Sequence, residues 1–266
     1  MIKRLKILKS LKKCWLVLLI FYLISFFSNN INAQEGIVTY SVSNNLEKVN
    51  SYFNEGRDTL KNNYLKSTLD DIYGPSLSIK SILKFTKSES EYKIEQKLQN
   101  EKENILAYKL LHSIAGGYNL YFSNLKLKKN IIQECELLGE CFLIDMPKME
   151  WILTQKQKKI GNYVCYLATA VHKTYLSSTK VEAWFTPDIS VSTGPMSFIG
   201  LPGLVLELKT NKLQFVATNI VLSPKEKIQI KRPAKGIKVT SDKFEEILKE
   251  AFPDFYKRLE FKRKNN

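Results

Sequence analysis

The chain has 266 residues, and its 41 Lys and Arg against 26 Asp and Glu give a formal net charge of +15 at pH 7. The basic residues fall in separate short clusters. No zinc-ligand spacing, recognition helix or aromatic–basic ribonucleoprotein pattern accompanies them, which argues against a nucleic-acid-binding protein. With only two histidines a metal centre is also disfavoured, and we expect no cofactor.

The first 33 residues have the pattern of a secretory signal peptide. Six basic residues precede an apolar run from Trp15 to Phe27, and a polar segment ending in Ala33 follows. The run is shorter than the roughly 20 residues of a membrane span. An uncleaved N-terminal anchor is the alternative. We expect cleavage after Ala33, release to the periplasm or the outside of the cell, and no transmembrane span after cleavage.

Residues 34–266 contain no linker or internal repeat, so we predict a single β-rich domain. Ile37–Val42 alternates in polarity and predicts a first strand. Between Asn50 and Tyr73, Leu65, Leu69 and Ile72 keep helical spacing, which predicts an amphipathic helix or a helix pair.

A series of strand-like runs with short polar turns follows. We predict strands at Ser78–Lys87, Ser90–Leu98, Ile105–Leu111, Tyr118–Phe122, Asn130–Glu134, Cys141–Asp145, Glu150–Thr154, Tyr163–His172, Lys180–Thr186, Leu204–Thr210 and Gln214–Leu222. This succession indicates a mainly β (α+β) fold with a curved antiparallel meander sheet, similar to the half-barrel of lipoprotein carriers. Ser88-Glu89 is a candidate hairpin turn, and Asn211-Lys212 is a better one because Asn tolerates the positive φ of such turns.

A C-terminal helix is predicted after Ser241 or Asp242, either of which can cap it. Pro253 ends the helix, which we expect to pack on the sheet. Its apolar stripe consists of Phe244, Ile247, Leu248, Ala251 and Phe252.

Three cysteines follow the signal peptide, so one is left over if two pair. Cys135 and Cys141 bracket a short connection that a disulfide can staple, and Cys165 would then be a buried thiol within a strand. The sequence leaves the other pairings open.

The stretch from Gly194 to Leu208 concentrates glycine and proline before an alternating strand. Gly-Leu-Pro-Gly at 200–203 specifies a tight turn, and Leu201 and Leu204 are placed to anchor it in a core. Trp184 lies on the opposite face of its strand from its apolar neighbours. We expect the 194–203 loop to cover it, and the alternative is exposure toward a ligand.

Four ordered blocks, at 151–153, 159–168, 181–189 and 194–205, together resemble the GLPGLI family of exported proteins known from Bacteroidetes. Two positions depart from that pattern: Val205 replaces the final Ile, and Ser190 replaces a frequent proline. The resemblance implies an exported, β-rich GLPGLI-type domain of unestablished activity. It brings no set of catalytic residues.

We predict a non-catalytic envelope protein that binds an apolar ligand, lipid or peptide in the concavity of the sheet. The residues that would line or gate the site, or only build its loop, are Trp184, Phe198, Gly200, Leu201, Pro202, Gly203 and Leu204. The alternative is an interaction protein that docks on an outer-membrane complex through a strand edge.

A hydrolase is the less favoured third interpretation. His172, Asp188 and Ser192 or Ser197 could form a Ser/His/Asp set, but no nucleophile elbow or oxyanion loop frames these residues.

Overall fold

The computed structural model describes residues 35–51, 54, 58, 61–73, 77–96, 105–173 and 178–264. The chain divides into two units, Met1–Gln34 and Glu35–Asn266, and every described residue belongs to the second. The segment with the signal pattern lies outside the described residues, so cleavage after Ala33 stays a prediction. None of the described helices combines the length and apolar character of a membrane span.

The described part of the second unit consists of twelve strands and five helices. The strands are β1 (Gly36–Asn44), β2 (Ser78–Phe85), β3 (Glu89–Ile94), β4 (Leu120–Asn124), β5 (Lys129–Glu134), β6 (Phe142–Met146), β7 (Ile152–Ile160), β8 (Tyr163–Lys173), β9 (Ser178–Thr186), β10 (Leu204–Lys209), β11 (Leu213–Leu222) and β12 (Ile237–Thr240). The helices are α1 (Leu46–Ser51), α2 (Asn63–Tyr73), α3 (Ile105–Ile114), α4 (Ser241–Ala251) and α5 (Pro253–Lys264).

All twelve strands belong to one sheet, in the order β12-β6-β5-β4-β3-β2-β1-β11-β10-β9-β8-β7. Two antiparallel meanders, β1 to β6 and β7 to β11, are joined where β1 pairs with β11. Only β12 is parallel to its neighbour, β6. The predicted mainly β fold with an open antiparallel sheet and an N-terminal helical segment is confirmed.

The connection between β6 and β7 shows that the sheet curls. β7 is the last strand at one end of the sheet and β6 is second from the other end, yet only residues 147–151 join them. So short a segment spans at most about 20 Å, whereas this many strands laid flat would extend about 50 Å. The two ends of the sheet must therefore approach each other, and the sheet encloses one concave face.

That concave face contains the main hydrophobic core. Val38, Tyr40 and Val42 alternate along β1 and are fully buried, and Leu83 and Phe215 face the same core from the neighbouring strands. Each side chain of this size contributes roughly 1.5–3 kcal/mol when fully buried. Period-two alternation on the central strands therefore fixes which face turns inward.

The predicted strand at Ile105–Leu111 is wrong, because this segment is helix α3. Ala107 and Leu111 are buried at helical spacing, followed by buried Ala115. A short, continuous apolar run does not distinguish a strand from a helix by periodicity alone. The segment is helical because a helix buries this apolar face against α2 and β2.

Two further elements differ from their predictions at the β6 end of the sheet. The sequence analysis missed β12, a short and mostly exposed strand that pairs with β6 and donates its Ile237 N–H to the Cys141 carbonyl at 2.8 Å. Helix α4 is capped by Thr240, whose hydroxyl accepts the Lys243 N–H, and not by Ser241 or Asp242. As predicted, this C-terminal helix packs on the sheet, with Phe244 against Phe142 at 5.0 Å between ring centroids.

Both predicted hairpins form, and a threonine begins each turn. The Thr86 hydroxyl accepts the Glu89 N–H at 3.2 Å, and the Thr210 hydroxyl accepts the Leu213 N–H at 3.0 Å. Positive φ at Asn211 is not used, because the only non-glycine residues with positive φ in the described ranges are Lys128, Met196 and Ser223. The threonine side chains supply the turn geometry that we had assigned to Asn211.

Candidate functional site

The loop between β9 and β10 fills the concave face of the sheet. Phe198, Leu201 and Leu204 are all buried in the main core. The Asn130 amide on β5 donates to the Ser197 carbonyl at 3.0 Å, and the Thr193 hydroxyl donates to Ser90 on β3 at 2.9 Å. The loop is therefore bonded to strands of the opposite meander and packs as the interior of the curled sheet.

Gly203 is required where this loop returns to the sheet. A Cβ atom at this position would lie 2.1 Å from the backbone oxygen of Thr186. Gly200 has φ of +104°, which L side chains rarely adopt, and Pro202 between them is exposed. The two glycines of the Gly-Leu-Pro-Gly sequence are thus explained by the close approach of the backbone at Gly203 and by the positive φ at Gly200, which glycine adopts readily.

The two tryptophans among the described residues, Trp151 and Trp184, have different partners. Trp151 contacts the loop: its indole N–H donates to the Ile199 carbonyl at 2.8 Å, and its ring meets Phe198 edge-on. Trp184 is half-buried, with the Lys158 ammonium 4.4 Å from its ring centroid. Lys158 also bonds the Glu207 carboxylate at 2.5 Å.

The residues of the hydrolase interpretation have structural contacts in this region. The His172 ring packs edge-on against Phe198, and burial lowers the pKa of His172. The Ser192 hydroxyl accepts the Gly200 N–H at 3.0 Å, which supports the turn.

Cys135 and Cys141 form a disulfide, and Cys165 is a buried free thiol. The disulfide closes the β5–β6 connection beside the place where β12 joins β6. Burial raises the pKa of Cys165 to about 11, so the thiol is protonated at neutral pH.

A pocket of about 550 Å³ lies between α3, the turn that follows it and the end of β5. Its lining combines aromatic rings, amides and charged side chains. The lining residues are Gln96, Tyr108, Lys109, His112, Ser113, Gly116, Gly117, Tyr118, Asn119, Glu134, Glu136 and Leu137. Pockets of roughly 300–1,000 Å³ are of the size that takes small ligands.

His112 contributes a buried imidazole to this pocket. Its ring stacks on Tyr108 at 5.9 Å and meets Tyr118 edge-on at 4.8 Å. Only 7% of the residue is exposed, and its Nε2 has no hydrogen-bond partner among the described residues. Burial lowers the pKa of His112, so the imidazole is neutral at pH 7.

Glu134 contributes a buried carboxylate at the end of β5. Its Oε1 accepts the N–H groups of Glu136 and Leu137, at 2.7 and 2.9 Å, which forms the start of the disulfide-closed turn. Its Oε2 is buried without a hydrogen-bond partner in the described part of the chain. Two residues that line this pocket therefore each have a buried polar atom without a hydrogen-bond partner among the described residues.

A second pocket of about 480 Å³ lies beside the segment that follows β11. It carries Lys84, Lys225 and Lys227, none of which is buried. This second pocket is a weaker candidate for a ligand site than the α3 pocket, because its lining contains no buried polar side chain. In the described ranges no group of three His, Cys, Asp or Glu residues is arranged to hold a metal ion.

The sequence analysis proposed neither His112 nor Glu134 as a site residue. The two residues are 22 positions apart in the sequence and line the same pocket in the structure. The predicted pairing of Cys135 with Cys141 was the available signal, since Glu136 and Leu137 lie between these cysteines.

Residues 173–207 match a protein family described as a protein of unknown function (Porph_ging). The match extends from the end of β8 into β10 and includes the Gly-Leu-Pro-Gly turn. It indicates similarity to a family of unknown function over this stretch, and the GLPGLI assignment stays a prediction. No protein of curated function matches the chain.

Among solved structures, the chain is similar to two crystal structures of PNGF-II, one in the P21 space group and one in the C2 space group. The TM-scores are 0.46 and 0.45, with 18% sequence identity in both comparisons. The matches cover 81% and 80% of this chain but 33% and 32% of the PNGF-II chains. The chain thus spans about a third of the length of these structures.

Proposed function

We propose that the chain is an exported, non-catalytic envelope protein that binds a small ligand in the pocket beside α3. The observation that carries this proposal is the pair of buried, unpaired atoms in its lining, His112 Nε2 and Glu134 Oε2. A buried polar group left unpaired costs about 1–3 kcal/mol. A ligand that bonds these atoms once the two side chains turn toward the pocket recovers that free energy, which adds to the affinity of the site.

The mixed lining supports a ligand with both an apolar and a polar part. Tyr108, Tyr118 and Leu137 offer apolar contact area, while His112 and Glu134 offer directional hydrogen bonds. Tyr118 and Leu137 are 65% and 55% exposed, so binding would bury apolar surface that the free protein leaves in water.

The concave face of the sheet is a weaker candidate for the ligand site. A carrier needs an enclosed apolar cavity, whereas here Phe198, Leu201 and Leu204 occupy the interior. The contacts of the 194–203 loop support a role as a packed segment of the core.

Native mass spectrometry of the chain purified from a periplasm, followed by organic extraction, tests the proposal. We expect the wild-type protein to carry a bound species of small-molecule mass. Leu137→Ala should lower its occupancy, while Leu127→Ala, a change of equal size at a residue 69% exposed in the β4–β5 turn, should not. An empty wild-type chain, or equal occupancy in both variants, would contradict the proposal.

Docking through β7 is the second candidate function. This strand ends the sheet order, and its Ile152 and Leu153 are 68% and 56% exposed. The pairing of β7 with β8 is, however, irregular between Leu153 and Gln157, and the second half of β7 is rich in lysine. Both features are typical of edge strands that resist pairing with another chain. Loss of a co-purifying envelope protein in Leu153→Lys, with ligand occupancy unchanged, would favour docking.

A further inference from the structure

We propose that the ligand of the α3 pocket is a small organic ammonium compound, held by the Glu134 carboxylate and the tyrosine rings around His112. This inference rests on the proposed function and specifies its ligand class. It follows from the charge of the pocket, the unpaired carboxylate oxygen and the aromatic lining.

The pocket is locally acidic in a strongly basic chain. The chain has a net charge of +15, but the lining contains two carboxylates, Glu134 and Glu136, against one ammonium, Lys109. His112 adds no charge at pH 7, because burial lowers its pKa. An anionic ligand would meet a net negative lining, which disfavours fatty acids and phosphates here.

Glu134 sets the sign of the preferred ligand charge. It is 3% exposed, and an ionised carboxylate at this depth is costly unless hydrogen bonds and an opposite charge compensate it. Backbone N–H groups bond Oε1 alone. A neutral donor can bond Oε2 but leaves the charge unbalanced. Any ammonium balances the charge, and one that carries N–H groups also donates to Oε2.

Tyrosine rings favour the same ligand class. The face of an aromatic ring attracts an ammonium group, most strongly when the pair is removed from water. Tyr108 and Tyr118 both line the pocket and both contact the His112 ring. Elsewhere in the chain, Lys158 already shows this chemistry, with its ammonium over the Trp184 ring and bonded to Glu207.

The test compares choline with its neutral isostere, in which carbon replaces the quaternary nitrogen, by calorimetry on the chain purified from a periplasm and freed of bound species. The two probes have the same shape, so a difference in affinity reports charge. We expect choline to bind at least about tenfold more tightly than the isostere.

Glu134→Gln is the decisive variant, because glutamine keeps an acceptor for the Glu136 and Leu137 N–H groups while it removes the charge. We expect it to weaken choline binding about tenfold with the melting temperature preserved. Glu140→Gln is the matched control, since Glu140 lies in the same disulfide-closed turn, is exposed and does not line the pocket. It should leave the affinity unchanged within about twofold.

Equal binding of choline and its isostere, or equal affinity in both glutamine variants, would overturn the inference. Absence of choline binding would also overturn it. If native mass spectrometry still finds a bound species that depends on Leu137, only the ligand class is wrong and the proposed function stands. If no species is found and choline does not bind, both fail.

Discussion

Trp151 donates its indole N–H to the backbone carbonyl of Ile199 at 2.8 Å, across 48 positions of sequence. This bond attaches the segment that precedes β7 to the loop that fills the concave face. The same loop receives the Asn130 amide from β5, so both ends of the open sheet are fastened to one internal segment. The loop thus connects the two ends of the sheet from the interior, as hydrogen bonds between the first and last strands do in a closed barrel.

Trp151→Phe should destabilise the protein by about 1–2 kcal/mol, because the Ile199 carbonyl loses its donor while the aromatic packing on Phe198 is largely kept. Urea denaturation followed by circular dichroism measures this loss. A midpoint equal to that of the wild type would show that the indole bond does not hold the loop.

Gly203→Ala should be much more destabilising than Pro202→Ala, although the two residues are adjacent. The alanine Cβ at 203 would collide with the Thr186 backbone, and we expect a loss of about 3 kcal/mol or more. Pro202 is exposed, so Pro202→Ala should cost only about 0.5–1 kcal/mol through the freer unfolded chain. Thermal melts of the pair decide the point, and similar losses would contradict the close approach.

Strand alternation and turn residues were sufficient to predict most of the fold. The alternation in β1 and β9 predicted strands whose inward faces are buried. The apolar run of α3 was ambiguous, and β12 is too short and too exposed to leave a pattern. Sequence spacing also contained no information that Trp151, rather than Trp184, would meet the loop, because that contact depends on how the sheet curls.

The candidate site was less predictable than the fold. The Cys135–Cys141 pairing follows from short spacing, but helix α3, which contributes Tyr108 and His112 to the pocket, was predicted as a strand. A strand would place Tyr108 and His112 roughly 13 Å apart along one face. One turn of helix brings their rings into contact instead, so the wrong element concealed the pocket.

The double variant Cys135→Ala/Cys141→Ala should lower stability by about 2 kcal/mol, the entropy expected for so short a closed loop. It should also weaken ligand binding, because Glu136 and Leu137 lie inside that loop and line the pocket. Native mass spectrometry of the variant below its melting temperature separates the two effects. Full ligand occupancy would show that the loop does not shape the pocket.

Cys165 should resist alkylation in the folded protein. With its pKa raised to about 11 by burial, only about one thiol in a thousand is ionised at pH 8, and the side chain is inaccessible. We expect no iodoacetamide adduct on the native mature chain and one adduct after denaturation. Rapid modification of Cys165 in the native chain would contradict its placement in the core.

Stability should fall as the pH decreases from 7 toward 5. Burial lowers the pKa of His112 and of His172 below the ordinary 6.5, so below that pH the unfolded chain binds more protons than the folded chain. Each histidine contributes up to about 1.4 kcal/mol per pH unit in this window. His112→Phe keeps an aromatic ring and should reduce the slope, and an unchanged slope would show that His112 titrates normally.

The most direct test of where the ligand binds is an NMR titration of the mature chain, freed of ligand, with the species recovered by organic extraction. The chain then has two histidines and two tryptophans, so the His112 imidazole signals report the pocket. The His172 imidazole and the Trp151 indole N–H report the loop, and the Trp184 indole N–H reports the sheet. We predict that the His112 signals shift with saturation while both indole signals stay in place. Shifts of the indole signals with His112 unaffected would locate the site at the 194–203 loop and contradict the account.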